Sequence, residues 1–164
     1  MNNILIFGMT ENPGGVESFL MSYIRKINRG NFKFDFLCNS HDKIAYEDEL
    51  ISYGCEIYHI TARSKDYKKY KREMQQFFKE NASQYDTIWV NVCSLANIDY
   101  LKYAKKYGIK NISGNVIHIS KMLTTSDVRV IKWLTGYTVD ANFNDSFLIS
   151  EDWIKNKSLI LRNK

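Results

Sequence analysis

The chain has 164 residues, 45% of them apolar and 25% charged, which suits one domain with a buried core and argues against disorder. No apolar run approaches the length of a membrane span, and the start "MNNILIFG" lacks the basic flank and small-residue cleavage site of a signal peptide, so cytoplasmic residence is the expectation. The net charge of +5 is uneven, and no helix-turn-helix, zinc spacing or RNP-type aromatic pattern accompanies it, so nucleic acid is not an expected partner.

Taken in chain order, "NILIFGM" is a short apolar run closed by turn residues, the pattern of a buried strand. The segment "ENPGG" follows, with two adjacent glycines of the chain's eight just past its only proline. "VESFLMSYIRKIN" places Val16, Phe19, Leu20, Tyr23, Ile24 and Ile27 on one face of a helix. "FKFDFLCN" alternates Phe32, Phe34 and Phe36 against Lys33 and Asp35, a strand with one strongly buried face.

"KIAYEDELISYG" reads as a helix stopped by Gly54, and "CEIYHIT" as another strand. "SKDYKKYKREMQQFFKENAS" is a longer helix, with Tyr67, Tyr70, Met74, Phe77 and Phe78 to one side. Its start is a basic block: Lys65, Lys68, Lys69, Lys71 and Arg72 form either a solvated helix face or a contact for an anionic membrane surface. "DTIWVNVCS" is a nearly continuous apolar strand, and "NIDYLKYAKKYG" a helix with Asn97 as N-cap and Gly108 as stop.

"KNISGNVIHIS" is a weaker strand, "TTSDVRVIKWLTG" one more helix, and "TVDANFND", "SEDWIKN" and "KSLILRN" a last strand–helix–strand series. Cys38, Cys55 and Cys93 are scattered beside or within apolar runs without metal spacing, so they read as buried free thiols. His41 and His59 have no partner within sequence reach and read as surface or packing residues.

Strands alternating with helices imply βαβ units. The expected fold is a single α/β domain, a doubly wound, Rossmann-like parallel sheet with helices on both faces. Ligands of such sheets lie beyond the carboxyl ends of the strands, which directs attention to the loops after Met9, Asn91 and Ile117. Gly14 and Gly15 open the first helix, where backbone amides favour an anion. Neither G-x-G-x-x-G nor a Gly-Lys-Ser/Thr loop is present, so the glycine pair by itself is either a phosphate site or only a turn. "FKFDFLCN" ends without the acidic residue of a nicotinamide-nucleotide domain, and "GMTENPGG" offers Glu11 alone where a receiver domain needs paired acids.

The ordering of "NILIFGMTENPGGVESFLMSYIRKINRGNFKFDFLC" resembles the opening of GT-B fold, family 4 glycosyltransferases, above all bacterial enzymes of capsule, exopolysaccharide and O-antigen assembly. The resemblance continues more faintly through "YDTIWVNVCS", "NVIHISKMLTTS", "YTVDANFNDS" and "SLILRNK". It thus spans essentially the whole chain, but only the amino-terminal half of such an enzyme. It implies that residues 1–164 are an acceptor-side, Rossmann-like domain whose donor-binding, carboxyl-terminal partner domain is absent from this chain.

The implied reaction is transfer of a sugar from a nucleoside-diphosphate sugar to a saccharide or lipid-linked acceptor, with retention at the anomeric carbon. No cofactor is implied, and the absence of Asp-x-Asp agrees with a metal-free scheme. The fragment alone is expected to be inactive. By the resemblance, Gly14 and Gly15 face the donor's phosphates and sugar, and Glu17 braces the helix start rather than reacting. Asn91 and Ser94 line the acceptor cleft or else cap their loop. His118 matches the family's second histidine and stands as the catalytic candidate, although Val116 and Ile119 depart from the pattern beside it; a satisfied core histidine is the other reading. The competing function is a non-catalytic subunit that recruits acceptor or membrane for a separate catalytic chain, peripheral at the inner face of the cell membrane.

Overall fold

The computed structural model describes residues 1–92, 97–116 and 148–149. Strand β1 (Asn2–Phe7) leads to helix α1 (Gly15–Ile24), β2 (Phe32–Cys38), α2 (Glu47–Ser52), β3 (Ile57–His59) and α3 (Tyr67–Asn81). A 3-10 turn at Ala82–Gln84 then precedes β4 (Thr87–Val92), α4 (Asp99–Lys106), β5 (Asn111–Val116) and β6 (Leu148–Ile149). The sheet order is β3-β2-β1-β4-β5-β6. Its first five strands are parallel, with Ile4 opposite Phe34 on one side and Thr87 on the other. This is the doubly wound α/β arrangement that the alternation of elements predicts.

The last strand differs. Strand β6 pairs antiparallel with β5, Gly114 opposite Ile149, so the sheet is parallel only up to its edge. The sequence reading placed no strand at Leu148–Ile149. The helix predicted over 124–136, and the flanking stretches 138–145, 150–156 and 157–163, lie outside the described residues.

Side-chain alternation along the strands sorts the core into two layers. Leu5, Phe7, Leu37, Ile88 and Val90 point toward α3 and α4, where they meet Tyr70, Met74, Phe78, Tyr100 and Leu101. Ile6, Phe34, Phe36 and Cys38 point the other way, toward Leu20, Met21, Ile24 and Leu50 of α1 and α2. Both faces are therefore covered, which changes the fate of Asp35. Alternation alone assigns it to solvent, yet it is buried and accepts from Tyr85 Oη (3.1 Å) and the Glu56 amide (2.8 Å), with Lys33 Nζ 3.1 Å away. Burial, and after it the neighbouring Asp35 carboxylate, push the Tyr85 hydroxyl far above the usual phenol range.

Helix α1 is shorter than its apolar pattern. Its buried face comprises Glu17, Leu20, Met21 and Ile24, whereas Phe19 and Tyr23 remain 38% and 54% exposed. Those two rings lie on the flank of the helix and close edge-on around Trp89 of β4. In α3, Tyr70, Met74, Phe77 and Phe78 are buried as expected, but Tyr67 is 50% exposed at the helix start. Asp66 caps that start by accepting the Lys69 amide at 2.9 Å.

Helix α4 begins one step later than the Asn97 cap predicts: Ile98 occupies the cap, and Asn97 Oδ1 accepts the Asp99 amide at 3.2 Å from just outside. Gly54 and Gly108 end α2 and α4 at φ +82° and +88°, the left-handed geometry that glycine supplies. Among the described residues, no helix is long and apolar enough to cross a membrane.

Candidate functional site

Strands β1 and β4 are neighbours, but the chain leaves them in opposite directions: α1 covers one face of the sheet, α3 and α4 the other. Such a divergence opens a crevice at the carboxyl ends of the two strands. Here it holds a cavity of about 590 Å³. The loop from Gly8 to Gly14, the start of α1, the ends of β2 and β4, and Asn97 and Tyr100 at the start of α4 surround it.

Gly8 creates the geometry. It sits at φ +121° directly after β1, and a Cβ there would lie 1.7 Å from the backbone oxygen of Asn91. Only glycine lets the β1 turn lean against the end of β4 in this way. Sequence reasoning passed over Gly8 in favour of the later pair; the available signal was its position immediately behind the apolar run.

The loop is then held by Glu17. This carboxylate is 4% exposed. Its Oε1 accepts from the Thr10 amide (3.0 Å) and hydroxyl (2.8 Å), and its Oε2 accepts from the Gly14 amide (3.1 Å). The last bond is the reciprocal half of a capping box, with Gly14 as the N-cap. Both carboxylate oxygens are thus engaged in bracing the loop. The Ala45 amide donates to Thr10 O at 2.9 Å and ties the loop to the segment before α2.

Gly14 and Gly15 differ. A Cβ on Gly14 would meet Glu17 Oε2 at 3.0 Å, while one on Gly15 would project into open space. The fold's own packing therefore does not demand glycine at 15. Among the described residues, no acceptor takes the amides of Gly15 and Val16, which head α1 at the cavity.

The walls are mostly apolar. Phe7 and Tyr100 stack with centroids 4.1 Å apart, and Met9, Val16 and Val92 extend the surface. Polar character comes chiefly from carboxamides: Asn12, Asn39, Asn91 and Asn97. Asn91, expected to line the cleft, is here and 1% exposed. Asn97 Nδ2 donates to Tyr70 Oη at 3.0 Å, and burial pushes that phenol up to about 12, so the hydroxyl stays protonated. Among the described residues, Asn39 Oδ1 is buried without a hydrogen-bond partner. No Lys, Arg or His is among the described lining residues, and Glu17 is the sole charged group there. A carboxamide both donates and accepts, so this lining matches neutral hydroxyls better than free anions. No group of three or more potential metal ligands occurs among the described residues.

Of the predicted site residues, Gly14, Gly15, Glu17 and Asn91 converge on the cavity. Ser94 and His118 lie outside the described residues, as does Cys93. Cys38 is buried and its thiol pushed up to about 12, and half-buried Cys55 is pushed up to about 11, both chiefly by burial. His41 and His59 find partners that linear distance conceals: Thr61 Oγ1 at 3.2 Å and the Ser40 carbonyl at 2.7 Å.

The basic block is partly offset by acids. Lys65 approaches Asp42 (3.8 Å), Lys69 approaches Glu73 (3.7 Å) and Lys71 approaches Asp99 (3.6 Å). Lys68 and Arg72 have no acidic partner among the described residues.

No family model matches the chain. A segment of 71 residues is 30% identical to a Bacillus subtilis (strain 168) protein named "Putative glycosyltransferase EpsF", and this match covers 43% of the chain. The chain accounts for 18% of that relative's length, so what the two share is a part of a larger molecule.

Proposed function

We propose that the chain is the acceptor-side wall of a glycosyltransferase of the GT-B kind, acting on a nucleoside-diphosphate sugar and a saccharide or lipid-linked acceptor. The observation that carries the reading is the cavity at the β1/β4 divergence, without a basic side chain among its described lining, rich in carboxamides and backed by the Phe7–Tyr100 stack. Apolar ring faces and carboxamides together suit a sugar, which offers C–H faces and hydroxyl edges. The similarity to a protein named as a glycosyltransferase supports the same class.

In this reading the acceptor sugar rests in the cavity with one hydroxyl turned outward. That oxygen bonds to the donor's anomeric carbon as the bond from this carbon to the diphosphate breaks, and the hydroxyl proton passes to the departing phosphate oxygen. Attack on the face the diphosphate leaves retains configuration. The amides of Gly15 and Val16 at the head of α1 favour the charge that develops on the diphosphate. Gly15 keeps that approach clear of side-chain atoms. His118 remains the proposed hydrogen-bonding group for the attacking hydroxyl near neutral pH. Nucleotide contacts belong to residues beyond this chain.

Saturation-transfer NMR on the chain with glucose, with a short oligosaccharide and with uridine diphosphate tests this. Saturation of the saccharides, weakened in Asn91→Ala, is expected, together with little response from the nucleotide. Specific, tight nucleotide binding, or saccharide signals unchanged by Asn91→Ala, would overturn it.

A further inference from the structure

A second depression, of about 540 Å³, opens over the ends of β2 and β3 and is lined by Asn39, Arg63, Ser64 and Tyr67. Asn39 lines both this cleft and the carboxamide-rich cavity, so the two meet at one side chain. They differ in charge. Arg63 lies 5.4 Å from the centre of the Tyr67 ring and has no acidic partner among the described residues. The nearby acids are engaged elsewhere: Asp66 accepts the Lys69 amide and Glu73 the Thr61 amide. Lys71 approaches the same tyrosine ring, at 5.9 Å, but its charge is offset by Asp99, 3.6 Å away, which leaves Arg63 as the cation of the cleft.

From this arrangement we infer that the acceptor is an acidic saccharide, and that its carboxylate or phosphate sits on Arg63 while the attached sugar crosses Asn39 into the carboxamide-rich cavity. The inference rests on the saccharide reading of that cavity. Three features combine to support it. The guanidinium presents paired donors to a carboxylate or phosphate. Half the Tyr67 side chain is open as an apolar platform beside it. Asn39 Oδ1, a buried acceptor lacking a donor, matches a sugar hydroxyl at the junction. A wholly neutral sugar would use the cavity and leave the cleft idle.

The test is saturation-transfer titration of the full chain with glucose, glucuronic acid and glucose 1-phosphate, repeated on Arg63→Gln and Tyr67→Leu. Both positions are exposed, so both variants should fold. The acidic sugars are expected to bind about three- to fivefold tighter than glucose, as a partly exposed ion pair allows. Arg63→Gln should erase that margin and leave glucose unchanged, while Tyr67→Leu should weaken the acidic sugars alone. A preference for one acid over the other identifies the anion as carboxylate or phosphate. Equal binding of all three, or a margin that survives Arg63→Gln, overturns the inference and leaves the saccharide reading standing. No saturation of any of the three sugars would instead overturn the saccharide reading beneath it.

Discussion

At the scale of single residues, two glycines of the same loop should behave in opposite ways. Gly8→Ala introduces both a left-handed strain and a collision with the Asn91 backbone, and should cost about 3 kcal/mol in urea unfolding. Gly15→Ala meets nothing within 4 Å at a helical position, and should raise stability by about 0.5 kcal/mol. If both variants lose stability equally, Gly15 is a structural glycine after all. Glu17→Ala should cost about 1–2 kcal/mol and speed hydrogen exchange at the Thr10 and Gly14 amides, which it accepts.

Residue identities of this kind were only half legible beforehand. The pair at 14 and 15 stands out in the sequence because it is a pair. Gly8 does not, since its need for glycine arises from a backbone 83 positions away that only the folded topology brings near. The burial of Asp35 escapes periodicity for a related reason. Period two separates it from the Phe face, but whether the opposite face meets water depends on α3, Tyr85 and Glu56 arriving from elsewhere.

At the scale of elements, α1 and α2 are joined by Arg25 and Glu49, two N–O bonds of 2.7 Å, with Tyr53 donating to the same carboxylate at 2.7 Å. Those bonds hold the Glu49 carboxyl down near about 2 from its ordinary 4.5. A carboxyl depressed on folding stabilises the native state above its unfolded value and loses that contribution as pH falls through the folded one. The pair therefore supports the fold above about pH 4.5 and fades toward pH 2. Glu49→Gln should have a lower urea midpoint than the parent at pH 6, with the gap closing near pH 2. Because both side chains reach solvent, the gap should also shrink in high salt. A gap independent of pH would remove the ion pair as its cause.

Periodicity identified most of these elements but overran their ends. The pattern of α1 continues through Ile27 while the helix stops at Ile24, and α2 keeps only Glu47–Ser52 of a longer reading. Helical spacing also put Phe19 and Tyr23 on the buried side. They are on the flank because β4 supplies Trp89 there, a neighbour no local window contains.

At the scale of the molecule, doubly wound topology gathers residues from three strand ends into one cavity: Gly8, Asn39, Asn91 and, just before α4, Asn97. Alternation of strands and helices made that topology readable, and with it the region where ligands belong. The particular carboxamides were not, apart from Asn91, since convergence is set by strand order rather than by spacing. Burial predicts how the sheet opens. Leu5, Ile6, Phe36, Leu37 and Ile88 are fully enclosed, whereas β3 is half-buried throughout. Hydrogen exchange should be slowest across β1, β2 and β4, and fastest in β3 and α2. Uniform protection across all the strands would argue for one cooperative unit instead.

The packing of Trp89 between Phe19 and Tyr23 makes the indole an internal gauge. Those two rings ride on the helix whose first turn borders the cavity, and Asn91 is two places along the same strand. Any ligand that tilts that helix must also alter the indole's surroundings, so its emission can follow occupancy without an added dye. With Trp133 and Trp153 replaced by Phe, the remaining indole emission would belong to this one position.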